Sequence, residues 1–279
     1  MRRKVDKIVK GYNTVDGDNV HLTRVLSKNT YNDFDPILLL DSFDSENYEE
    51  YKNGFPFHPH RGIITITYID KGVMIHNDSL KNKDELSNGD IQIMVSGSGI
   101  YHQEKFKKSK YLKGVQFWIN LPKKYKMVNP FYKKIKKQEI KKIFFEGGEL
   151  KLLLGNYKNY STNINIYHPI DLYQITLNKD KMFNLKVDEN KMVVAFILSG
   201  NISVEEDKIS KRSAVLFTEG DELNIKTDTN KSKFLLLISE KQNEKIAWKG
   251  SIVMNKEEEL NQAFKDIENN TFIKANLDN

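Results

Sequence analysis

Short apolar runs rich in β-branched and aromatic residues recur along the chain, separated by glycine, asparagine, aspartate and lysine. Residues 20–26 (Val-His-Leu-Thr-Arg-Val-Leu) alternate weakly and predict an early strand, and Ile37-Leu-Leu-Leu40 has the length of a buried strand. Residues 41–53 are acidic and polar and read as a loop leading to Gly54, with Tyr48 and Tyr51 placed either over a barrel mouth or against the loop itself. The run Ile63-Ile-Thr-Ile-Thr-Tyr-Ile69 predicts a strand, broken at Lys71-Gly72 and resumed over residues 73–77. A turn over Leu86-Ser-Asn-Gly-Asp90 precedes a strand at residues 91–95, after which Ser96-Gly-Ser-Gly99 bends the chain. Residues 171–177, 192–198 and 234–239 are further strands by the same reading. Only near the end does the period change. Asn255 is a candidate cap for a helix through Glu268, with Leu260, Phe264 and Ile267 on one stripe packed against a barrel.

Two punctuation patterns recur. Ile69-Asp-Lys-Gly72 parallels Ile197-Leu-Ser-Gly200, and Asn88-Gly-Asp90 parallels Glu219-Gly-Asp221. With 279 residues, more than one core usually holds, the repeat predicts two barrels of one type, spanning residues 1–135 and 136–279. The predicted class is all-β, with a short C-terminal helix.

Composition narrows the chemistry. There is no cysteine, so disulfides, thiolate ligands and cysteine nucleophiles are excluded, and any metal must sit on nitrogen and oxygen. No apolar run is long enough to span a bilayer, and the charged start leads into no signal segment. The expectation is a cytoplasmic monomer without membrane contact. The net charge of +6 is uneven: residues 105–142 hold fourteen lysines against Glu139 alone, which is +13 and leaves −7 for the rest. This stretch has no arginine and no stacking platform, so it predicts a solvated basic face and no sequence-specific nucleic-acid partner.

Three of the six histidines fall in two triplets, His58-Pro-His60 and His102-Gln-Glu104. On a strand, an i, i+2 pair points to one face, whereas a helix would splay it. Two such strands inside a barrel bring three imidazoles and one carboxylate together, a donor set for iron, nickel, manganese or zinc with positions left for substrate and dioxygen. Carried through the next strand, the same parity gives an apolar lumen of Ile64, Ile66 and Tyr68, with Trp118 a further candidate, and turns Arg61, Thr65 and Thr67 away. His21, His76 and His168 lack a paired ligand and are expected outside the site. The second half has no His-x-His or His-x-Glu, which predicts no second metal. No helix follows Ser96–Gly99, so that loop reads as a bend aiming His102 inward, not a phosphate cradle.

The runs Asp35-Pro-Ile-Leu-Leu-Leu-Asp-Ser-Phe43, Gly54-Phe-Pro-Phe-His-Pro-His-Arg-Gly62, Gly97-Ser-Gly-Ile-Tyr-His-Gln-Glu104 and Gly114-Val-Gln-Phe-Trp-Ile-Asn-Leu-Pro122 resemble the pirin family of bicupins. The likeness continues to Trp248-Lys-Gly-Ser-Ile-Val-Met-Asn255 and the helix after it. It implies two jelly-roll barrels of cupin type and one divalent metal, Fe(2+) before Ni, Mn or Zn, on His58, His60, His102 and Glu104. The family contains flavonol dioxygenases and regulatory binding proteins. The reading it implies first is a metal-dependent dioxygenase of flavonols such as quercetin (2,3-dioxygenase type), with Glu104 as both ligand and catalytic base and a small aromatic substrate. The alternative is a metal-binding, redox-sensing protein that contacts a transcription factor or metabolic enzyme. One departure stands out: Ile64 occupies the place, four residues after the second histidine, where such sequences commonly carry glutamate. It puts in doubt any proton-handling role of that acid.

Overall fold

The computed structural model describes residues 1–227 and 231–275. The apolar runs form antiparallel sheets. In the first half, Ile63–Lys71 is the third strand of a seven-stranded sheet, between Ile91–Val95 and Leu112–Asn120, with Ile37–Ser45 and Val20–Leu26 beyond. Facing it is a four-stranded sheet in the order Phe55–His60, Ile100–Phe106, Met74–Asp78, Lys83–Leu86. The second half repeats the plan. Met192–Ser199 takes the same third place in its own seven-stranded sheet, and Met182–Lys186, Glu222–Lys226, Asn201–Val204 and Asp207–Ser210 form the facing four-stranded sheet. The internal repeat is thus a repeat of topology. Both marker glycines have positive φ, +95° at Gly72 and +72° at Gly200, where a side chain would be strained.

The two large sheets lie back to back. Ile64, Ile66 and Tyr68 on one meet the cluster that also contains Val194, Phe196, Leu235 and Leu237 of the other. This shared layer is the main core, each fully buried aliphatic side chain contributing about 1.5–3 kcal/mol. The lumen of the second barrel is filled by a separate apolar cluster that includes Phe183, Ile197, Leu223, Ile225 and Phe234. The first barrel is apolar only at one end, where Phe43, Tyr51, Met74, Leu86 and Phe106 pack together. Tyr51 is therefore part of the packed interior.

The ends of the chain cross over. Val5–Lys10 pairs with Ser213–Phe217 in the second barrel's sheet, and the hairpin of Ala247–Lys249 and Ile252–Met254 bridges to Arg61 of the first. A cut at 135/136 would part both from their partners. The helix spans Glu257–Glu268 and buries Leu260 and Ala263 against the hairpin, with Tyr101 of the first barrel alongside. Asn255 does not cap it. The carboxylate of Glu259 accepts from the backbone N–H of Asn255 and Lys256 at 3.0 and 3.1 Å, while the Asn255 amide donates to Glu244 and to the Lys245 carbonyl. The polar stretch after Leu40 also departs from a loop, since the strand runs to Ser45. Arg24 makes this tolerable by holding Asp41 through two bonds of 2.9 and 2.8 Å.

Candidate metal centre

The strand carrying His58 and His60 ends at a sharp reversal. Gly62 has φ +76°, and a Cβ there would stand 2.0 Å from the Val253 carbonyl oxygen, so only glycine fits. The chain then passes from the small sheet into the large one, and the parity changes. Ile64, Ile66 and Tyr68 face the other barrel, not the histidines. The residues expected to point away, Thr65 and Thr67, look inward: Thr67 accepts from the Gln116 amide, which also donates to Glu104. The lumen at the histidines is thus polar, and the expected apolar wall is corrected by one residue of backbone geometry. A side chain at position 64 points into the inter-sheet core, so the missing glutamate is not missing from this chamber.

Antiparallel pairing sets His102 opposite His58, and Ile100 opposite His60. The three rings converge, with centroids 4.4, 4.8 and 4.9 Å apart and candidate ligand nitrogens all within 4.8 Å of one another. His60 and His102 are fully buried, and Trp118 meets His60 edge-on at 5.0 Å. The outer nitrogens fix the tautomers. His58 Nδ1 lies 2.7 Å from the Pro56 carbonyl and His60 Nδ1 3.2 Å from that of Ser251, and since a carbonyl only accepts, both Nδ1 carry the proton. Both Nε2 atoms then present lone pairs to each other across 3.0 Å. Burial pushes all three imidazoles below their ordinary range, which disfavours relieving this contact with a shared proton. Neither ring nitrogen of His102 has a partner. A divalent cation would take the facing Nε2 lone pairs and one nitrogen of His102, so the residues fit the metal that the donor set implies.

Glu104 follows on the same face of the strand and is also buried, but its carboxylate does not join the three-histidine cluster among the described residues. It accepts from Gln116 Nε2 at 2.8 Å, and Trp118 Nε1 donates to Gln116 Oε1 at 2.9 Å, so the indole fixes which way the amide points. Burial raises the carboxyl to about 7, opposed by His76 and the Gln116 bond. A carboxyl near neutrality suits proton transfer.

His76 stays outside the three-histidine cluster but lies closer to the site than its sequence position suggests. It is fully buried, cross-strand from Glu104, stacked on Tyr132 at 4.3 Å and 5.4 Å from His102, with Nε2 2.9 Å from Asp78. A signal existed in His76-Asn-Asp78, itself an i, i+2 pair of imidazole and carboxylate. His168 lies elsewhere, bonded to Ser239 and the Glu240 carbonyl, and His21 is exposed. In the second barrel the strands equivalent to the two ligand strands, Met182–Lys186 and Glu222–Lys226, send Phe183, Leu223 and Ile225 into the lumen. Among the described residues these strands place apolar side chains, and no histidine, in that lumen.

Residues 19–119 match the sequence profile of Pirin, and residues 172–273 that of the Pirin C-terminal cupin domain. A pirin-like protein of Caulobacter vibrioides is 33% identical over 97% of this chain and 99% of its own length. Among solved structures, a quercetin 2,3-dioxygenase of Acinetobacter baumannii superposes with TM-score 0.89 at 25% identity, covering 98% of this chain and 99% of that one. A bacterial pirin of Escherichia coli, solved in complex with nickel(II), shares the fold with TM-score 0.67 at 21% identity over 84% of this chain and 99% of its own.

Proposed function

The chain belongs to the pirin family, and from that premise we propose that it is a metal-dependent dioxygenase acting on flavonols such as quercetin. The observation that carries the reading is the three-histidine cluster with facing Nε2 lone pairs beside a buried carboxyl poised at about 7. His58, His60 and His102 would hold one divalent metal, Fe(2+) or one of Ni, Mn and Zn, and Glu104 would complete the set. The nickel bound by the bacterial pirin and the quercetin dioxygenase with the same fold support both parts of the proposal. When bound, the metal lowers the pKa of a hydroxyl placed on it. The remaining work falls to the chain. Glu104 takes the flavonol proton at a carboxylate oxygen, Gln116 keeps that carboxylate oriented, and Trp118 keeps Gln116 oriented. Thr65, Thr67 and Gln92 offer the flavonol hydroxyls hydrogen-bonding partners; Thr65 Oγ1 and both amide atoms of Gln92 are buried and unpartnered without one.

One observation favours the second reading, a metal-binding, redox-sensing regulator of a transcription factor or metabolic enzyme. His60, His102 and Glu104 are all but sealed from solvent, which also suits a metal that is never exchanged for substrate. Oxygen uptake separates the two. Protein loaded in turn with iron, nickel and manganese should consume oxygen on addition of quercetin, and Glu104→Gln should lower turnover by about 10²–10⁴-fold. No uptake with any of the three metals would leave the regulatory reading.

A further inference from the structure

The residues that hold His60 in place come from the far end of the chain. We propose that the C-terminal segment 246–273 is a clasp that sets the metal-binding geometry of His60 from outside the barrel, with Ser251 and Asp266 as positioning residues; this rests on the metal reading above.

Four consecutive residues are gripped one by one. The Ser251 hydroxyl donates to the carbonyl of Pro59, the residue between the two candidate ligands. The Ser251 carbonyl accepts from His60 Nδ1 at 3.2 Å, across 191 residues of sequence. The carbonyl of Arg61 accepts from the Val253 N–H at 3.0 Å. At Gly62 the Lys126 ammonium binds the carbonyls of both Gly62 (2.7 Å) and Val253 (2.9 Å), with Asn120 Oδ1 (2.6 Å) as its third acceptor. The Arg61 side chain, 2% exposed, then locks the segment from its other end. It donates to Asp266 on the helix at 2.8 Å and to the Phe272 carbonyl at 2.8 Å, and lies 4.3 Å over the Phe272 ring.

A segment that merely covered the barrel would make apolar contacts. Here the polar contacts land on the ligand strand's backbone and on a ligand ring. Their joint effect is to hold the proton of His60 on Nδ1 and to aim Nε2 at His58 and His102. An imidazole freed from such an outer hydrogen bond rotates and changes tautomer, and loss of outer partners of this kind typically weakens metal binding by about 10–100-fold. The second half of the chain thereby contributes to the first barrel's site, and the crossover of the C-terminal hairpin acquires a purpose.

Cobalt(II) titration of the chelator-stripped full chain tests this, beside imidazole ¹⁵N spectra of the metal-free protein. Wild type should show His60 protonated on Nδ1. Asp266→Asn should lower cobalt affinity by about 10–100-fold, and Ser251→Ala by a smaller factor with an unchanged thermal midpoint. The Ser251 variant keeps the test decisive if Asp266→Asn unfolds the helix. Cobalt binding by wild type with unaltered affinity in both variants, or a His60 proton found on Nε2, overturns the clasp alone. Failure of wild type to bind cobalt refutes the metal reading itself.

Discussion

Replacing Glu104 by glutamine should make the metal-free protein more stable, not less. The Glu104 carboxyl is buried with one hydrogen bond, from Gln116 at 2.8 Å, and its pKa is raised from 4.5 to about 7. At about 1.4 kcal/mol per tenfold, that rise corresponds to roughly 3 kcal/mol of preference for the neutral form in the folded state. Between pH 4.5 and 7 the folded chain therefore holds a proton that the unfolded chain has released, and stability falls as pH rises through this window. Below about pH 4.5 both states are protonated and the penalty is absent. The substituted amide keeps an oxygen to accept from Gln116 and never ionises. At pH 8 the variant should thus gain up to about 3 kcal/mol, or on the order of 6–10 °C in Tm, and the gain should vanish by pH 4.5. Thermal unfolding of chelator-treated wild type and Glu104→Gln across this range measures it. Equal stability at pH 8, or a gain that grows on acidification, would refute the assignment of Glu104 as a carboxylate held at the expense of the fold.

Other outcomes follow from named contacts. His58→Ala and His102→Ala should lose bound metal in elemental analysis, whereas His168→Ala, whose ring bonds to Ser239 and the Glu240 carbonyl, should keep it. Burial keeps the three imidazoles neutral to lower pH than usual, so bound metal should persist below about pH 6.5; half-loss above that value contradicts the proposed ligand set. Lys126→Met removes an ammonium from three oxygen acceptors at 2.6–2.9 Å and should cost about 2–4 kcal/mol in denaturant unfolding, a cost near zero being the contrary result. In the lysine-rich stretch, Lys107 pairs with Glu85, Lys134 with Asp84, and Lys126 is buried. Any DNA binding should therefore be weak, indifferent to sequence and abolished by raised salt, and a sequence preference surviving salt would overturn this.

Period-two patterning and its interruptions determined the strands and the doubling of the barrel, because these depend on residues close together in the chain. The same locality brought His58, His60 and His102 forward, since an i, i+2 pair needs only a strand to share a face. Where a face pointed was another matter. A single positive φ at Gly62 moves the chain from one sheet to the other, so Thr65 and Thr67 face the histidines while Ile64, Ile66 and Tyr68 join the core between barrels. The strand pattern is identical either way; only the facing sheet decides which side is the lumen. Nor does local pattern pair His76 with Glu104, bring Gln116 to Glu104, or bring Ser251 to His60. Those contacts join different strands, and the last exists because the C-terminal hairpin crosses to the first barrel.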